Sequence, residues 1–258
     1  DPYRHLSVDE SIMTRDFVYT LNHEIGISVI RPENEKEMQN YFDRLYNFYT
    51  GQYKYDKKIL IADSMIPAES SIKLSDVPVR YKNTIVDYVS GITKYHNPDD
   101  TIVIDWQNKY GNLLSKSHEI TFINSHGSTQ FHEPCRYNGS ADNEQNCISG
   151  TFIKNAKPNS MFIVGISCNI GNFMTKNSPM NAYIFSGNSL SGISSETFLW
   201  DSNSQISKSI LNKLSEGVMV GDISRVNNLV TIGNPFLRID MPQNYNKTIS
   251  AEGIKSIY

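Results

Sequence analysis

Two short segments of the chain each place a reactive side chain directly after an apolar run. Residues 120–123 (ITFI) lead into Asn124-Ser125-His126-Gly127, and residues 161–166 (MFIVGI) lead into Ser167-Cys168-Asn169. Apolar runs of this length, bounded by glycine and polar residues, are typical of central parallel strands. The carboxyl ends of such strands meet at one edge of an open α/β sheet, which is where catalytic groups lie. The pattern therefore predicts that His126 and Cys168, 42 residues apart in sequence, form a thiol–imidazole dyad.

The pairing of a thiol with an imidazole indicates nucleophilic chemistry. A cysteine thiol is largely protonated at neutral pH, and a nearby imidazole or other positive group holds it as the reactive thiolate. Gly127 directly follows the histidine and lacks a Cβ, so the backbone there can approach a substrate closely. Its N–H and that of Cys168 would then form an oxyanion hole. The competing interpretation is an inert buried cysteine at a strand end, and the matching context of the two segments outweighs it.

Both segments resemble motifs of a known family. Residues 125–128 (SHGS) and 167–173 (SCNIGNF) are similar to the His-Gly and Cys-x-x-Gly-x-Phe motifs of gingipain-type cysteine peptidases. These enzymes belong to the caspase-like clan, together with legumain, clostripain and separase. Further segments that resemble the family follow in order, at 26–49, 57–64, 192–200, 214–221 and 233–237, so the resemblance covers about residues 25–240. Ser125 stands where the family usually has glycine, and Asn234 where it has aspartate.

The resemblance implies roles for further residues. Asp63, just past the apolar residues 59–62, matches an acid that orients the histidine, with Glu69 as the alternative. Asp76 resembles the acid at the floor of the primary specificity pocket, where a carboxylate binds Arg or Lys through parallel charge-assisted hydrogen bonds. Trp200 resembles the aromatic wall of that pocket. On structural grounds alone, Asp63 and Asp76 are also ordinary turn or cap residues, and Trp200 an ordinary core residue.

Apolar spacing predicts alternating strands and helices along most of the chain. Besides the two segments above, strands are expected at 17–21, 25–30, 59–62, 101–105, about 190–194 and 230–232, with 237–239 closing the fold. Helices are expected from Pro32-Glu33 onward, with Met38, Phe42, Leu45 and Tyr49 on one face, and at 83–93, 110–116, 181–185 and 204–216. Such alternation predicts an α/β fold with a mostly parallel central sheet and helices on both faces. The resemblance specifies this fold as a caspase-like three-layer sandwich.

The resemblance also divides the chain into segments. Residues 25–240 correspond to a caspase-like catalytic domain, and residues 241–258 to a C-terminal strand or linker. Gingipain-like modules usually carry another caspase-like subdomain before this region, and residues 1–24 are too short to supply it. The chain begins with Asp1 rather than Met, so we expect a processed or excised piece. An upstream subdomain or propeptide is then missing, or the protein is a reduced form with a single subdomain.

Charge and hydropathy exclude several classes of function. With 24 basic and 27 acidic residues the chain has no electrostatic footprint for nucleic acid, and no apolar run approaches the roughly 18 residues of a membrane span. His132, Glu133 and Cys135 lack a second ligand pair for zinc, so no catalytic metal or other cofactor is predicted. The acidic loops at 99–100 and 142–144 could hold structural calcium, as in family members, although a solvated turn is the better interpretation. Cys135 and Cys147 either form a disulfide or remain thiols.

These observations predict a cysteine endopeptidase that hydrolyses protein or peptide substrates through a thioester at Cys168, after basic residues. One alternative is a sortase-like transpeptidase at the bacterial surface, in which an amine rather than water resolves the thioester. Another is a non-catalytic interaction module that keeps the fold; it predicts a lost Cys or His, and both residues are present. The abundance of Asn, Ser, Ile, Lys and Tyr and the resemblance together favour a bacterial protein that is secreted or held at the cell surface.

Overall fold

The computed structural model describes residues 28–64, 72–92, 96, 100–134, 147–197, 204–227 and 229–241. Its strands are β1 (Ser28–Val29), β2 (Ile59–Asp63), β3 (Val86–Ser90), β4 (His118–Asn124), β5 (Phe131–His132), β6 (Ile148–Ser149), β7 (Ser160–Ile166), β8 (Ser191–Ser194) and β9 (Val230–Gly233). Seven of them form one sheet in the order β1-β9-β8-β7-β4-β2-β3, in which only the β8–β9 pair is antiparallel. β5 and β6 pair separately as a short antiparallel ribbon.

Helices form layers against this sheet. They are α1 (Glu35–Tyr49), α2 (Thr101–Leu114), α3 (Gly150–Ala156), α4 (Pro179–Phe185), α5 (Ser204–Ser215) and α6 (Val220–Val226), with short 3₁₀ turns at Leu74–Asp76 and Val79–Tyr81. α1 packs on α4, α4 on α3 and α3 on α2, whereas α5 packs on α6, which contacts β8 and β9. Every residue of β7 is buried, and a strand buried on both faces needs a layer on each side. The predicted mostly parallel sheet is confirmed. No helix within the described ranges is long and apolar enough to cross a membrane.

Helix α1 begins at Glu35, two residues later than predicted, because Asn34 caps it. The Asn34 side chain accepts a hydrogen bond from the Glu37 N–H at 2.9 Å. The buried face consists of Tyr41, Leu45 and Phe48, at helical spacing. Of the predicted face, Leu45 is buried and Tyr49 packs partly buried against the core, whereas Met38 and Phe42 are exposed. Both stripes of this helix are apolar, and tertiary contacts choose the buried one: the Tyr41 hydroxyl donates to the Leu190 carbonyl at 2.8 Å.

The helix predicted at residues 83–93 was wrong, because this segment contains strand β3. Its residues pair in parallel with β2 from Val86 opposite Ile59 to Ser90 opposite Asp63. The apolar residues had suggested one face of a helix, yet Ile85 is 63% exposed and Val89 is buried. Valine and tyrosine favour strands where a neighbouring strand is available to pair.

The strand predicted at residues 101–105 was also wrong. These residues are helical and form one helix, α2, together with most of the helix predicted at 110–116. The β-branched residues at its start suggested a strand. Burial follows helical spacing instead, with Val103, Trp106, Gln107 and Tyr110 inside. Ile102 and Ile104, which a strand would have placed on one face, are 49% and 41% exposed. Packing of the inner face has overridden the weaker preference of β-branched residues for strands.

Residues 237–239 do not form the expected closing strand. β9 confirms the strand predicted at 230–232, whereas Leu237 and Ile239 are buried outside any strand. Arg80 then holds Asp240 with two hydrogen bonds of 2.6 and 3.0 Å. The same guanidinium binds the Glu119 carboxylate at 2.9 and 2.7 Å. The strand predicted at 17–21 lies outside the described residues.

Candidate active site

The register between β4 and β7 places the histidine and cysteine turns side by side. Asn124, the last residue of β4, lies opposite Ile166, the last residue of β7. The Ser125 N–H continues the ladder by donating to the Ile166 carbonyl at 3.3 Å. Because the strands are parallel and end together, the residues that follow, His126 and Cys168, emerge at the same sheet edge. Both are partly exposed, as groups that meet a substrate must be.

Gly127 fits into the contact between the two turns. A Cβ at this position would lie 2.9 Å from Ser167 Oγ, 3.1 Å from the Cys168 carbonyl oxygen and 2.7 Å from an Ile170 methyl carbon. Gly127 also pairs with His132 in an antiparallel bridge whose hydrogen bonds are made by the neighbouring residues. In such a pair, the central residue's N–H points away from its partner strand. The missing side chain thus allows the two turns to approach each other closely. The Gly127 N–H points away from the strand that contains His132.

The turn that carries Cys168 is held by backbone hydrogen bonds to the segment that follows β8. Asn169 adopts a left-handed conformation with φ of 57°, which asparagine tolerates better than most residues. Its N–H donates to the Thr197 carbonyl at 3.0 Å, and the Gly171 N–H donates to the Ser195 carbonyl at 2.8 Å. A Cβ on Gly171 would lie 2.8 Å from that same carbonyl oxygen. The spacing of cysteine and glycine in the motif therefore has a structural cause in this chain.

Asp63 ends β2 at the same sheet edge and is buried. One carboxylate oxygen accepts a hydrogen bond from the Ile72 N–H, and the other accepts one from Asn124 Nδ2 at 3.3 Å. Asn124 lies opposite Asp63 in the ladder and two residues before His126. Asp63 thus contacts the strand end that carries the histidine turn. The alternative acid, Glu69, lies outside the described residues.

Asp76 is engaged by a lysine from another part of the fold. Its carboxylate accepts a hydrogen bond from the Lys73 N–H at 3.0 Å within the 3₁₀ turn. It also forms an ion pair of 3.1 Å with Nζ of Lys208 on α5, with side-chain exposures of 17% for Asp76 and 38% for Lys208. The carboxylate proposed to bind a basic substrate residue is therefore already matched with a basic side chain. Trp200 lies outside the described residues.

His132, weighed above as a zinc ligand, is a buried neutral histidine. Burial lowers the pKa of His132 to about 3. Its Nδ1 lies 3.3 Å from Ser125 Oγ, and its Nε2 lies 2.6 Å from the Tyr183 hydroxyl, so both ring nitrogens have protein partners. In the described ranges, no cluster of three or more His, Cys, Asp or Glu side chains could hold a metal ion.

The calcium loops and the second cysteine fall mostly outside the described residues. Residues 99 and 142–144 and Cys135 lie outside the described residues, so the pairing of Cys135 with Cys147 stays a prediction. Asp100 is described, and its carboxylate lies 2.9 Å from His96 Nδ1 in an ion-pair geometry. Cys147 is 2% exposed, whereas Cys168 is partly exposed. Of these two, Cys168 is the one that a reagent in solution can reach.

Sequence reasoning missed several partners of the predicted site residues and of the turns that carry them. Lys208 and the buried tyrosines Tyr110 and Tyr183 belong to helices far along the chain from the residues they contact. Ser125 and Ser167 had a usable signal, because each directly precedes a candidate dyad residue. In the structure the two serine hydroxyls lie 2.9 Å apart. The matching serine positions could have predicted this contact.

The fold resembles that of a gingipain. No protein-family model matches the chain, and no curated protein matches its sequence. Among solved structures, it is similar to the complex of Porphyromonas gingivalis RgpB pro- and mature domains, with a TM-score of 0.57 at 13% identity. The match covers 83% of this chain and 56% of the other, so this chain spans little more than half of that protein's length. The similarity confirms the predicted fold class: a caspase-like α/β fold with a mostly parallel seven-stranded sheet.

Proposed function

We propose that this protein is a cysteine endopeptidase in which Cys168 is the nucleophile and His126 the general base and acid. One observation carries the proposal. The turns bearing the two residues follow adjacent parallel strands whose last residues lie opposite each other, and they pack so closely that a Cβ at position 127 would have to displace its neighbours. A thiol and an imidazole at one partly exposed sheet edge, in a caspase-like fold, are the components that covalent acyl transfer needs.

The reaction follows from these two groups. Cys168 Sγ, as thiolate beside the protonated His126 imidazole, attacks the carbonyl carbon of the substrate peptide bond, and the π electrons move onto oxygen. As the tetrahedral intermediate collapses, the C–N bond breaks and the imidazolium gives its proton to the leaving amine, which leaves a thioester on Cys168. Water then attacks the thioester carbon and loses a proton to His126. Cleavage of the C–S bond releases the acid and regenerates the thiolate.

The negative charge that develops on oxygen needs donors, and the backbone N–H groups of Gly127 and Cys168 fill this role. The Gly127 N–H is available because the bridge to His132 uses the hydrogen-bonding groups of neighbouring residues. Removal of a single donor of this kind typically costs about 100- to 1000-fold in rate. Because both donors are backbone groups, their positions depend on the packing between the two turns.

Asp63 acts in this proposal as an orienting acid for the histidine turn. Support comes from its position beside Asn124 and from the 3.3 Å hydrogen bond that it accepts from the Asn124 side chain. Its other oxygen holds the Ile72 N–H. A buried carboxylate with such partners is rigid, as a residue that orients a neighbour must be.

Specificity for basic residues is assigned to Asp76, with Trp200 as a wall of the same pocket. The support is chemical, because the Asp76 carboxylate already binds a basic group in the form of Lys208. A substrate Arg or Lys would take the place of Lys208 Nζ. Lys208 therefore lowers the affinity for basic substrates without abolishing the preference for them.

The setting in which the protein acts is part of the same proposal. Protein or peptide substrates, a secreted or cell-surface location in a bacterium, and an upstream propeptide or subdomain are all carried over from the family resemblance. The similar solved structure described above contains both a pro-domain and a mature domain of RgpB. A pro-segment that covers the same sheet edge would keep such an enzyme inactive before secretion.

Thiol labelling and one substitution test the proposed nucleophile. Brief treatment with substoichiometric iodoacetamide at neutral pH, followed by peptide mass spectrometry, should place the label on Cys168 before Cys135 or Cys147. Cys168→Ala should abolish cleavage of a fluorogenic peptide library and leave the far-ultraviolet circular dichroism unchanged. Cys147→Ala, which removes a buried sulfur instead, is the matched control and should retain cleavage.

Three outcomes would count against parts of the proposal. Preferential labelling of Cys135 or Cys147 would exclude Cys168 as the reactive thiol. Labelling at Cys168 without any cleavage would favour an interaction module. Ligation of an added amine acceptor in preference to hydrolysis would identify a transpeptidase, since both activities share the thioester.

A further inference from the structure

A chain of buried polar groups runs from the helix layer to the two candidate active-site turns. It comprises Tyr110 on α2, Tyr183 on α4, His132 on β5, and the serines that precede the candidate dyad residues, Ser125 and Ser167. Tyr110, Tyr183 and His132 are fully buried, and the two serines are 4% and 2% exposed. Buried polar groups are costly unless they are hydrogen-bonded, so five of them in one place are stable only as a fully connected network.

The contacts in the chain are continuous. The Tyr110 and Tyr183 hydroxyl oxygens lie 2.7 Å apart, and the Tyr183 hydroxyl lies 2.6 Å from His132 Nε2. His132 Nδ1 lies 3.3 Å from Ser125 Oγ, which lies 2.9 Å from Ser167 Oγ. The chain ends where Ser167 Oγ donates to the Ser125 carbonyl at 2.6 Å. That last bond joins the residue before Cys168 to the residue before His126.

The direction of every hydrogen bond follows from this last one. The Ser125 carbonyl can only accept, so the single hydroxyl proton of Ser167 is donated to that carbonyl. In the contact between the two serine hydroxyls, Ser125 must therefore be the donor and Ser167 the acceptor. Ser125 then has none left for His132, so Nδ1 carries the hydrogen and donates to it. Nε2 of the neutral imidazole is therefore an acceptor from Tyr183. Tyr183 in turn accepts from Tyr110, and every hydroxyl in the chain donates once.

The segment around His132 holds the histidine turn through the backbones of its neighbours and through the His132 side chain. His132 pairs with Gly127, and on either side the Glu133 N–H donates to the His126 carbonyl and the Ser128 N–H to the Phe131 carbonyl. The imidazole meanwhile reaches the serine on the other side of His126. The turn that carries His126 is thus attached to the three-residue segment 131–133, of which His132 supplies the side-chain contact.

From this arrangement we infer that His132, Tyr183 and Ser125 are positioning residues that fix the spacing between His126 and Cys168. None of the three is a catalytic residue in this inference; they act through the two turns. Ser125 stands where gingipain-type peptidases usually have glycine, so the chain of hydrogen bonds depends on a residue that departs from the family pattern. The inference rests on the thiol chemistry proposed above.

Tyr183→Phe is the most direct test, because it removes one hydroxyl and keeps the ring. It leaves His132 Nε2 without a donor, so the imidazole no longer has a defined tautomer and Ser125 loses its fixed partner. We expect the second-order rate of Cys168 alkylation by iodoacetamide to fall about tenfold, the size expected for one buried hydrogen bond. With peptide substrates, kcat should fall by a similar factor while KM stays within about twofold, since Tyr183 is buried away from substrate.

Tyr41→Phe is the matched control. It too removes one fully buried tyrosine hydroxyl. The Tyr41 hydroxyl donates to the Leu190 carbonyl, which is not part of the hydrogen-bonded network from Tyr110 to Ser167. Both variants should lose similar thermal stability, and only Tyr183→Phe should change the reactivity of Cys168. Ser125→Ala should reproduce the loss, and Ser125→Thr, which keeps a hydroxyl, should restore part of the rate.

The outcomes separate this inference from the proposed function. A tenfold loss of alkylation rate in Tyr183→Phe supports the inference even if no peptide is cleaved by the wild type. Unchanged alkylation in Tyr183→Phe and Ser125→Ala, with a reactive wild-type Cys168, overturns the inference and leaves the peptidase proposal standing. Equal losses of the Cys168 alkylation rate in Tyr183→Phe and Tyr41→Phe would show that the buried hydrogen bonds contribute only to stability, and would also overturn the inference. An unreactive Cys168 in the wild type overturns both.

Discussion

Gly127 and Cys168 lie in direct contact across the ends of β4 and β7, with 3.1 Å between an ideal Cβ at position 127 and the Cys168 carbonyl oxygen. Two further atoms, Ser167 Oγ at 2.9 Å and an Ile170 methyl carbon at 2.7 Å, close the remaining space. The contact between the two turns thus leaves no room for a Cβ at residue 127 unless these atoms shift. Any side chain at residue 127 must separate them.

Gly127→Ala should impair the site without unfolding the protein. The methyl group would push the histidine turn away from the cysteine turn, and misplacements of about 1 Å cost up to roughly 100-fold in rate. We expect a fall in kcat/KM and in the alkylation rate of Cys168 between about ten- and a hundredfold. Gly111→Ala on α2, where the new methyl would meet only the Phe152 ring, is the control and should leave both rates intact. Full activity in Gly127→Ala would mean that this contact does not set the dyad geometry.

Lys208→Gln should improve the use of basic substrates. Removal of Nζ frees the Asp76 carboxylate, and a partly exposed ion pair is worth up to about 1 kcal/mol. KM for substrates with Arg or Lys before the scissile bond should fall up to about fivefold, with kcat unchanged. Lys213→Gln on the same helix is the control for the loss of one positive charge, and Asp76→Ala should remove the basic preference. If Asp76→Ala retains that preference, the carboxylate is not the determinant of specificity.

Folding stability should decrease below about pH 6.5. His132 is neutral in the folded state because burial lowers its pKa to about 3, whereas an unfolded histidine titrates near 6.5. Between these values the unfolded state binds the extra proton, so stability falls with decreasing pH by up to about 1.4 kcal/mol per unit. Burial lowers the pKa of His118 as well, and its hydrogen bond with Asp87 opposes that shift in part.

Urea unfolding at pH 7, 6 and 5 checks this expectation. The dependence on pH should be shallower in His132→Gln than in the wild type, although the variant is less stable overall at pH 7. Identical slopes for the two proteins would show that His132 is not a main source of the acid sensitivity.

The two carboxylates that bind Arg80, those of Glu119 and Asp240, should contribute unequally to the free energy of unfolding. The Glu119 side chain is 12% exposed and also accepts from the Tyr81 hydroxyl at 2.8 Å, whereas the Asp240 side chain is 71% exposed. Glu119→Gln should lower the free energy of unfolding by about 3 kcal/mol, because it leaves a mostly buried guanidinium poorly paired. Asp240→Asn should cost less than about 1 kcal/mol. Equal losses in chemical unfolding would contradict this ranking.

Some elements could be predicted because their local pattern allows one solution. The run at 161–166 is apolar on both faces and too short for a buried helix, so a central strand was the natural expectation, and the residues after it followed. The segments at 83–93 and 101–116 were ambiguous. Their apolar residues fit both periods in part, and pairing of β3 with β2 and packing of Trp106 and Tyr110 decided the outcome.

The parts of the site that escaped prediction all depend on contacts between distant segments. Lys208 meets Asp76 across 132 residues of sequence, and nothing local to either residue indicates the other. The buried chain from Tyr110 to Ser167 combines groups from five separate elements or turns. The placement of His126 and Cys168 at one sheet edge was predictable because the signal is local, since each follows an apolar strand that ends at that edge. Their catalytic role stays a prediction.

The pairing of Asn124 with Ile166 has a consequence for how such proteins tolerate insertions and deletions. The distance in space between the two turns is set by the register of two adjacent strands, and the 42 residues that separate His126 from Cys168 in sequence do not enter into it. Relatives could therefore lengthen or shorten the connection without altering the chemistry. Deletion of a single residue within β7 would instead shift every later side chain to the opposite face and turn Cys168 away from His126. A constant strand length, rather than a constant spacing along the chain, is what keeps His126 and Cys168 at the same place on the sheet edge.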